Sequence, residues 1–179
     1  MKKEQAESLL PAKAVSAREE IEGHFTVSAL VIALGHVLLV DHKKIGAWLP
    51  PGGHINPAEM PHEAATREVL EETGIEIAIL SEPISATVDS ESIFMPQPIA
   101  IHRVKACENN EYVYHFDLAY LGVPTVSTKF LPDVRHSQEV NGARWFRLEE
   151  MGDFSEVILA KNVIELITLA KRKMKLLND

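Results

Sequence analysis

The chain reads as an α/β (α+β) protein, a mixed sheet flanked by helices. Three observations predict this class. Strand-length apolar runs come first, one carboxylate-rich helical stretch lies between them and later strands, and an amphipathic helix closes the chain. With 179 residues, 46% apolar and 25% charged, the chain is long enough for one domain with a full core. Residues 1–22 read as a polar lead-in and residues 23–179 as the domain.

In order, Pro11 interrupts any helix begun at Lys3, and Ser16 with Glu19 forms a capping-box pattern, predicting a short helix near 17–22. Phe25–Ala33 and Val37–Val40, separated by Gly35-His36, predict a hairpin. Lys43–Ile55 is expected to be a loop, because Pro50-Pro51-Gly52-Gly53 suits neither a helix interior nor a central strand. A helix is expected from Pro61, a good first-turn residue, with Met60 as a poor cap partly compensated by Glu63. Gly74 ends it in the left-handed conformation.

Ile75–Ser81, Ala86–Asp89, Ile99–Lys105 and Tyr112–Gly122 read as strands, and Val123–Arg135 as a loop broken by Pro124 and Pro132. Ala143–Leu148 is a last strand. The capping pattern Asp153–Glu156 is expected to open a helix reaching about Leu177, with Lys171, Arg172, Lys173 and Lys175 at its negative end.

Charge narrows the function. The net charge is −8, and Gly53–Ile75 holds five glutamates against Arg67. The chain lacks the basic balance that nucleic-acid binding needs. A single cysteine, Cys107, permits no disulfide framework and no thiolate cluster, so a reducing, cytoplasmic setting is expected. The first residues have no apolar signal-peptide region, and Ala29–Val40 is too short to span a bilayer. Neither a membrane nor a nucleic acid is therefore expected as a partner.

The chemistry concentrates in Gly53–Ile75, GHINPAEMPHEAATREVLEETGI. On a helical wheel with Glu68 at 0°, Glu71 falls near 300° and Glu72 near 40°, so the carboxylates share an arc of roughly 100°. Glu63, near 220°, and His62, near 120°, lie off it. Like charges at this spacing destabilise a helix by roughly 0.2–0.5 kcal/mol per pair, and Glu71 and Glu72 lie near its negative end. Such a face calls for a cation, and hard oxygen donors favour Mg²⁺ or Mn²⁺. An isolated acidic cluster is usually a solvated face. Here a pattern fixing seven residues at set spacings, Gly53, Glu59, Arg67, Glu68, Glu71, Glu72 and Gly74, would match by chance on the order of once in 10⁸ placements.

These residues satisfy Gly-x5-Glu-x7-Arg-Glu-U-x-Glu-Glu-x-Gly-U, with U apolar, at every specified position. The stretch therefore resembles the box of the Nudix hydrolases (the MutT-like family), and the likeness extends loosely over residues 25–170. The resemblance implies a Nudix-type α/β/α sandwich. It implies Mg²⁺-dependent hydrolysis of a nucleoside diphosphate linked to another moiety, with a nucleotide or other diphosphate-containing small molecule as partner and Mn²⁺ as an alternative ion. It implies metal ligation by Glu68 and Glu72, a bridging or shared Glu71, and the Gly53 carbonyl. Glu59 is then a supporting group, and Gly52 lets backbone approach phosphate. Arg67 either fixes the carboxylates or forms a purely structural ion pair. The general base comes from the box, as Glu71, or from a later loop. Glu139, six residues before Trp145, matches a loop glutamate of some members; the alternative is a surface acid.

Substrate recognition is less specified. Trp48 precedes the glycine turn, as packing residue or base-stacking platform. His115 and Asp117 share one face of a predicted strand and Tyr120 takes the other, so the pair either reads a substrate polar group or is a satisfied buried pair. Pro96-Gln97-Pro98 marks a loop where members contact the non-phosphate group. Two other readings are set beside hydrolysis: a non-catalytic nucleotide sensor on the same fold, and an isoprenoid diphosphate isomerase. The isomerase requires a cysteine upstream of the box, whereas Cys107 lies downstream. Residues 1–22 fall outside the resemblance and are left to cover a sheet edge or to contribute to a homodimer.

Overall fold

The computed structural model describes residues 23–82, 94–108, 110–126, 129–150, 158–160 and 162–178. The expected helix near 17–22, the strand at Ala86–Asp89 and the capping pattern at Asp153–Glu156 lie outside them. Among the described residues eight strands form one mixed sheet: β1 Gly23–Ala33, β2 His36–His42, β3 Ala47–Leu49, β4 Gly52–His54, β5 Ile77–Ile79, β6 Ala100–Glu108, β7 Glu111–Pro124 and β8 Val140–Arg147. The main path runs β3-β2-β1-β7-β5, with β4 on β1, β6 on β7 and β8 on β2. β1 and β7 are parallel, with His24 opposite His115 and Thr26 opposite Asp117. The other pairings are antiparallel.

The period of two along β1 sorts its side chains to opposite layers. Val27, Ala29 and Val31 meet Ala64, Ala65 and Val69 of helix α1, Pro61–Thr73. Leu30 and Ile32 meet Val163, Leu166, Ile167 and Ala170 of helix α2, Val163–Asn178. On β7, Leu118 and Tyr120 join the α1 layer, while Ala119 and Leu121 join the α2 layer. The result is the expected α/β/α sandwich. Among the described residues no helix is long and apolar enough to cross a membrane.

The β1–β2 hairpin forms as expected, but its turn is Leu34-Gly35 rather than Gly35-His36: both turn residues have positive φ, 46° and 73°, and His36 already pairs with Ala33. Helix α1 also has its expected limits. Glu63 accepts the Met60 N–H at 3.2 Å, and Gly74, at φ 72°, donates to Leu70 O at 2.8 Å.

Three expectations need correction. The loop expected from Val123 starts later, because Val123 and Pro124 extend β7 and pair with Ala78 and Ile77 of β5. The stretch 43–55 is not all loop: it holds β3 and β4. Gly52 allows the second of these, because a Cβ there would lie 2.2 Å from Val27 O. The prolines serve by accepting, as where the Ala29 N–H donates to Pro51 O at 3.0 Å. Helix α2 begins at Val163, later than the sequence pattern suggests, because residues 158–160 lie beside β3. The Trp48 N–H donates to Ile158 O at 2.8 Å and Trp48 O accepts from the Ala160 N–H at 3.1 Å. Buried positions in α2 are Val163, Leu166, Ile167 and Ala170, while Ile164 and Leu169 are exposed.

Candidate active site

α1 lies across β4, and its inner turn brings Glu68 and Glu72 against the glycines. Both carboxylate residues are buried, at 8% and 4% exposure, although they belong to a type that rarely is. Glu72 Oε2 accepts the Gly52 N–H at 3.0 Å. Glu68 occupies the space a side chain at Gly53 would need, since a Cβ there would lie 2.4 Å from Glu68 Oε1. Burial pushes the Glu72 carboxyl up to about 7; the Gly52 hydrogen bond opposes this, and the charges of Glu68, Glu139 and Glu71 add to it. Burial likewise raises Glu68, against the opposing pull of Arg67. Buried carboxylates with raised proton affinity are a donor set that fits a hard divalent cation.

Arg67 organises the outer side of this pair. Its Nε and Nη2 donate to the two oxygens of Glu59 at 2.8 and 3.0 Å, a bidentate fork. Its Nη1 donates to Glu68 at 2.8 Å and to Glu71 at 2.9 Å, and Nη2 also reaches His54 O at 3.0 Å. Glu59 is held below the usual carboxylate range chiefly by the Arg67 hydrogen bond, and it accepts the Asn56 N–H at 2.9 Å as well. The acid ahead of the helix is thus a clamp on Arg67. Glu71 shares the predicted arc but stays exposed, turned toward Arg67.

Glu139 arrives from another part of the chain. The Arg135 N–H donates to Thr73 O at 3.0 Å and the Ser137 N–H to Glu72 O at 3.3 Å, so this loop is fastened to the C-terminal end of α1. Trp145 Nε1 pins its earlier part by donating to Pro132 O at 3.0 Å. The Glu139 carboxylate is exposed and makes no hydrogen bond among the described residues, yet its charge raises both Glu68 and Glu72.

The residues considered for substrate contact lie elsewhere. Trp48 packs edge-on against Phe146 at 5.0 Å, near the β3 edge of the sheet, with Arg144 over its ring. Asp117 and His115 do share a face, but they do not pair with each other. Asp117 is buried and accepts from Thr26 Oγ1 at 3.1 Å and Ser28 Oγ at 2.7 Å, with His102 Nε2 at 2.9 Å. His115 Nε2 lies 2.9 Å from Glu108 Oε1, with His24 and His54 close by. His24, His54, His102 and Glu108 carry no local signal in the sequence. They stand on strands far apart in the chain, and only the sheet register brings them to one face.

Comparison with known proteins agrees with this architecture. A solved hydrolase of the NUDIX family from Clostridium perfringens superposes with a TM-score of 0.65 at 27% identity, covering 86% of this chain and 97% of that one. An RNA pyrophosphohydrolase from Erythrobacter litoralis (strain HTCC2594) is 53% identical over 36 residues, 20% of this chain and 22% of that protein. The asymmetrical bis(5'-nucleosyl)-tetraphosphatase of Mus musculus is 47% identical over 45 residues, 25% of this chain and 31% of that protein. Across four curated relatives the match spans between 22% and 39% of their length. The NUDIX domain model matches residues 23–167, from the first strand through the first turn of α2. A box intact in sequence, folded against its glycines in an α/β/α sandwich and matched by that model over most of the chain, places this protein in the NUDIX family.

Proposed function

We propose that the chain hydrolyses the diphosphate of a nucleoside diphosphate linked to another moiety, with Mg²⁺ as the natural ion and Mn²⁺ as a substitute. The observation that carries this reading is the convergence of two buried carboxylates, Glu68 and Glu72, on the Gly52–Gly53 backbone. Glu68, Glu72 and the Gly53 carbonyl would hold the cation, with Glu71 at its exposed side. When bound, Mg²⁺ supplies charge neutralisation on the diphosphate oxygens and acidifies the attacking water.

The remaining work falls to the chain's own groups. Arg67 holds Glu68 and Glu71 in place while anchored to Glu59, so it is a positioning residue. Water attacks phosphorus, the bridging P–O bond breaks, and the water proton passes to a carboxylate. Glu139 suits that role better than Glu71, whose carboxylate already accepts from Arg67. The relatives named as a pyrophosphohydrolase and a tetraphosphatase support the same class of bond.

The test is a screen of dinucleotides, nucleotide sugars and nucleoside triphosphates with Mg²⁺ and Mn²⁺, with products identified by mass. Glu72→Gln should abolish turnover while leaving the circular dichroism spectrum unchanged. A wholly inactive panel, or full activity in Glu72→Gln, rejects the assignment.

A further inference from the structure

A second cluster of ligating side chains stands on the opposite side of β4 from the glutamates. Gly53 faces α1, so His54, the next residue, faces the other layer. There it meets His24 of β1, His115 of β7 and Glu108 of β6. The ligating atoms of all four residues lie within 4.8 Å of one another. His115 Nε2 is 2.9 Å from Glu108 Oε1, His54 Nε2 is 3.4 Å from the same oxygen, and His24 Nδ1 is 3.4 Å from Glu108 Oε2.

We propose that His24, His54, His115 and Glu108 form a site for one borderline transition-metal ion, Zn²⁺ in the first instance, separate from the carboxylate site on α1. The dimensions favour it. Metal–donor distances near 2.1 Å in a tetrahedron put neighbouring donors about 3.4 Å apart, and imidazole rings around a shared ion have centroids about 5 Å apart. The three rings stand 5.2, 5.6 and 6.3 Å from one another, so sub-ångström shifts of exposed or half-buried side chains would close the shell.

Ligand chemistry sorts the ions. Imidazole suits Zn²⁺, Cu²⁺ and Ni²⁺, whereas Mg²⁺ takes oxygen donors. The four ligands come from four different strands. An ion there would staple the three-residue β4, and with it Gly53, to the β6–β7 hairpin.

The experiment uses the full chain, free of any affinity tag, dialysed against Zn²⁺ and then against metal-free buffer. Elemental analysis should find about one zinc per chain, and Co²⁺ should give the intense visible bands of a four-coordinate site. The double variant His24→Asn/His115→Gln should lower zinc affinity on the order of 100-fold or more, while Glu72→Gln should retain it. In the unmutated protein, Zn²⁺ should slow diethyl pyrocarbonate labelling of His24, His54 and His115 but not of His36 at the distant hairpin turn. No zinc uptake by the native chain overturns the proposal. So does uptake that survives the double histidine variant and is lost in Glu72→Gln, or labelling protection that is uniform. None of these readouts requires the hydrolase assignment to be right.

Discussion

Gly53 and Glu68 share one volume: a methyl group on the glycine would sit 2.4 Å from a carboxylate oxygen of the glutamate. The atoms it would strike are the end of a flexible side chain. Gly53→Ala should therefore fold, with its melting temperature lowered by only a few degrees, but displace the carboxylate. Turnover should fall about 100-fold, equivalent to roughly 2.7 kcal/mol of barrier. Steady-state kinetics beside a thermal melt checks this, and native activity in Gly53→Ala would show that the contact is incidental.

The neighbouring glycine should behave in the opposite way. A Cβ at Gly52 would meet Val27 O at 2.2 Å and Ser28 Cα at 2.8 Å, which are backbone atoms of β1. Those cannot yield without moving the strand. Gly52→Ala should cost about 1–3 kcal/mol or more of stability, read as an earlier midpoint in urea. An unchanged midpoint would contradict the close approach of β4.

Glu72 gives the metal-free protein a pH dependence. Its carboxyl is pushed up to about 7 by burial, from an ordinary value of 4.5. The folded state thus holds this proton more tightly than the unfolded chain does. The associated stability is full below pH about 4.5 and is lost as pH rises through about 7, on the order of 3 kcal/mol. A cation takes up the charge, so Mg²⁺ should raise the melting temperature more at pH 8 than at pH 5.5, and Glu72→Gln should flatten the difference. Equal Mg²⁺ shifts at both pH values would count against it.

Arg67→Lys keeps the charge and removes the fork. The guanidinium serves Glu59, Glu68, Glu71 and His54 O at once, and an ammonium cannot hold that geometry. Glu68, already raised by burial and restrained by Arg67, should rise further. Turnover should drop about 10- to 100-fold, with the acidic limb of the rate profile displaced to higher pH. A profile that scales without displacement would mean that Arg67 does not tune Glu68.

Leu34 occupies the left-handed region at φ 46° and is exposed, ahead of Gly35 at φ 73°. Leucine pays roughly 1–2 kcal/mol there, whereas Asn-Gly is the favoured pair in such a hairpin turn. Leu34→Asn should stabilise the protein by about 0.5–1 kcal/mol, visible in a denaturant titration and without effect on turnover.

Local rules made parts of this molecule legible in the sequence. Pro61 and Gly74 mark the ends of α1, the 3.6-residue period puts Glu68 and Glu72 on one side, and the branched runs form β1 and β2. What stayed hidden depended on partners distant in sequence. β4 has a composition that argues against a strand, yet forms because two glycines let backbone lie against β1 and α1. The start of α2 was masked by residues 158–160, whose apolar pattern serves an edge bridge to Trp48. His115 was visible as a strand residue, but its companions depend on the β1–β7 and β6–β7 registers.

The three residues of β4 act as a partition one peptide thick, and its parity decides which compartment each side chain enters. Gly53 opens toward the glutamates and His54 toward the imidazoles. A single-residue insertion between Pro51 and His54 would reverse that assignment, sending an imidazole toward the acidic compartment and a bare backbone toward the basic one. Length in this segment is therefore constrained from both sides. Relatives should accept substitutions in the neighbouring turns far more readily than a change in the count of residues here.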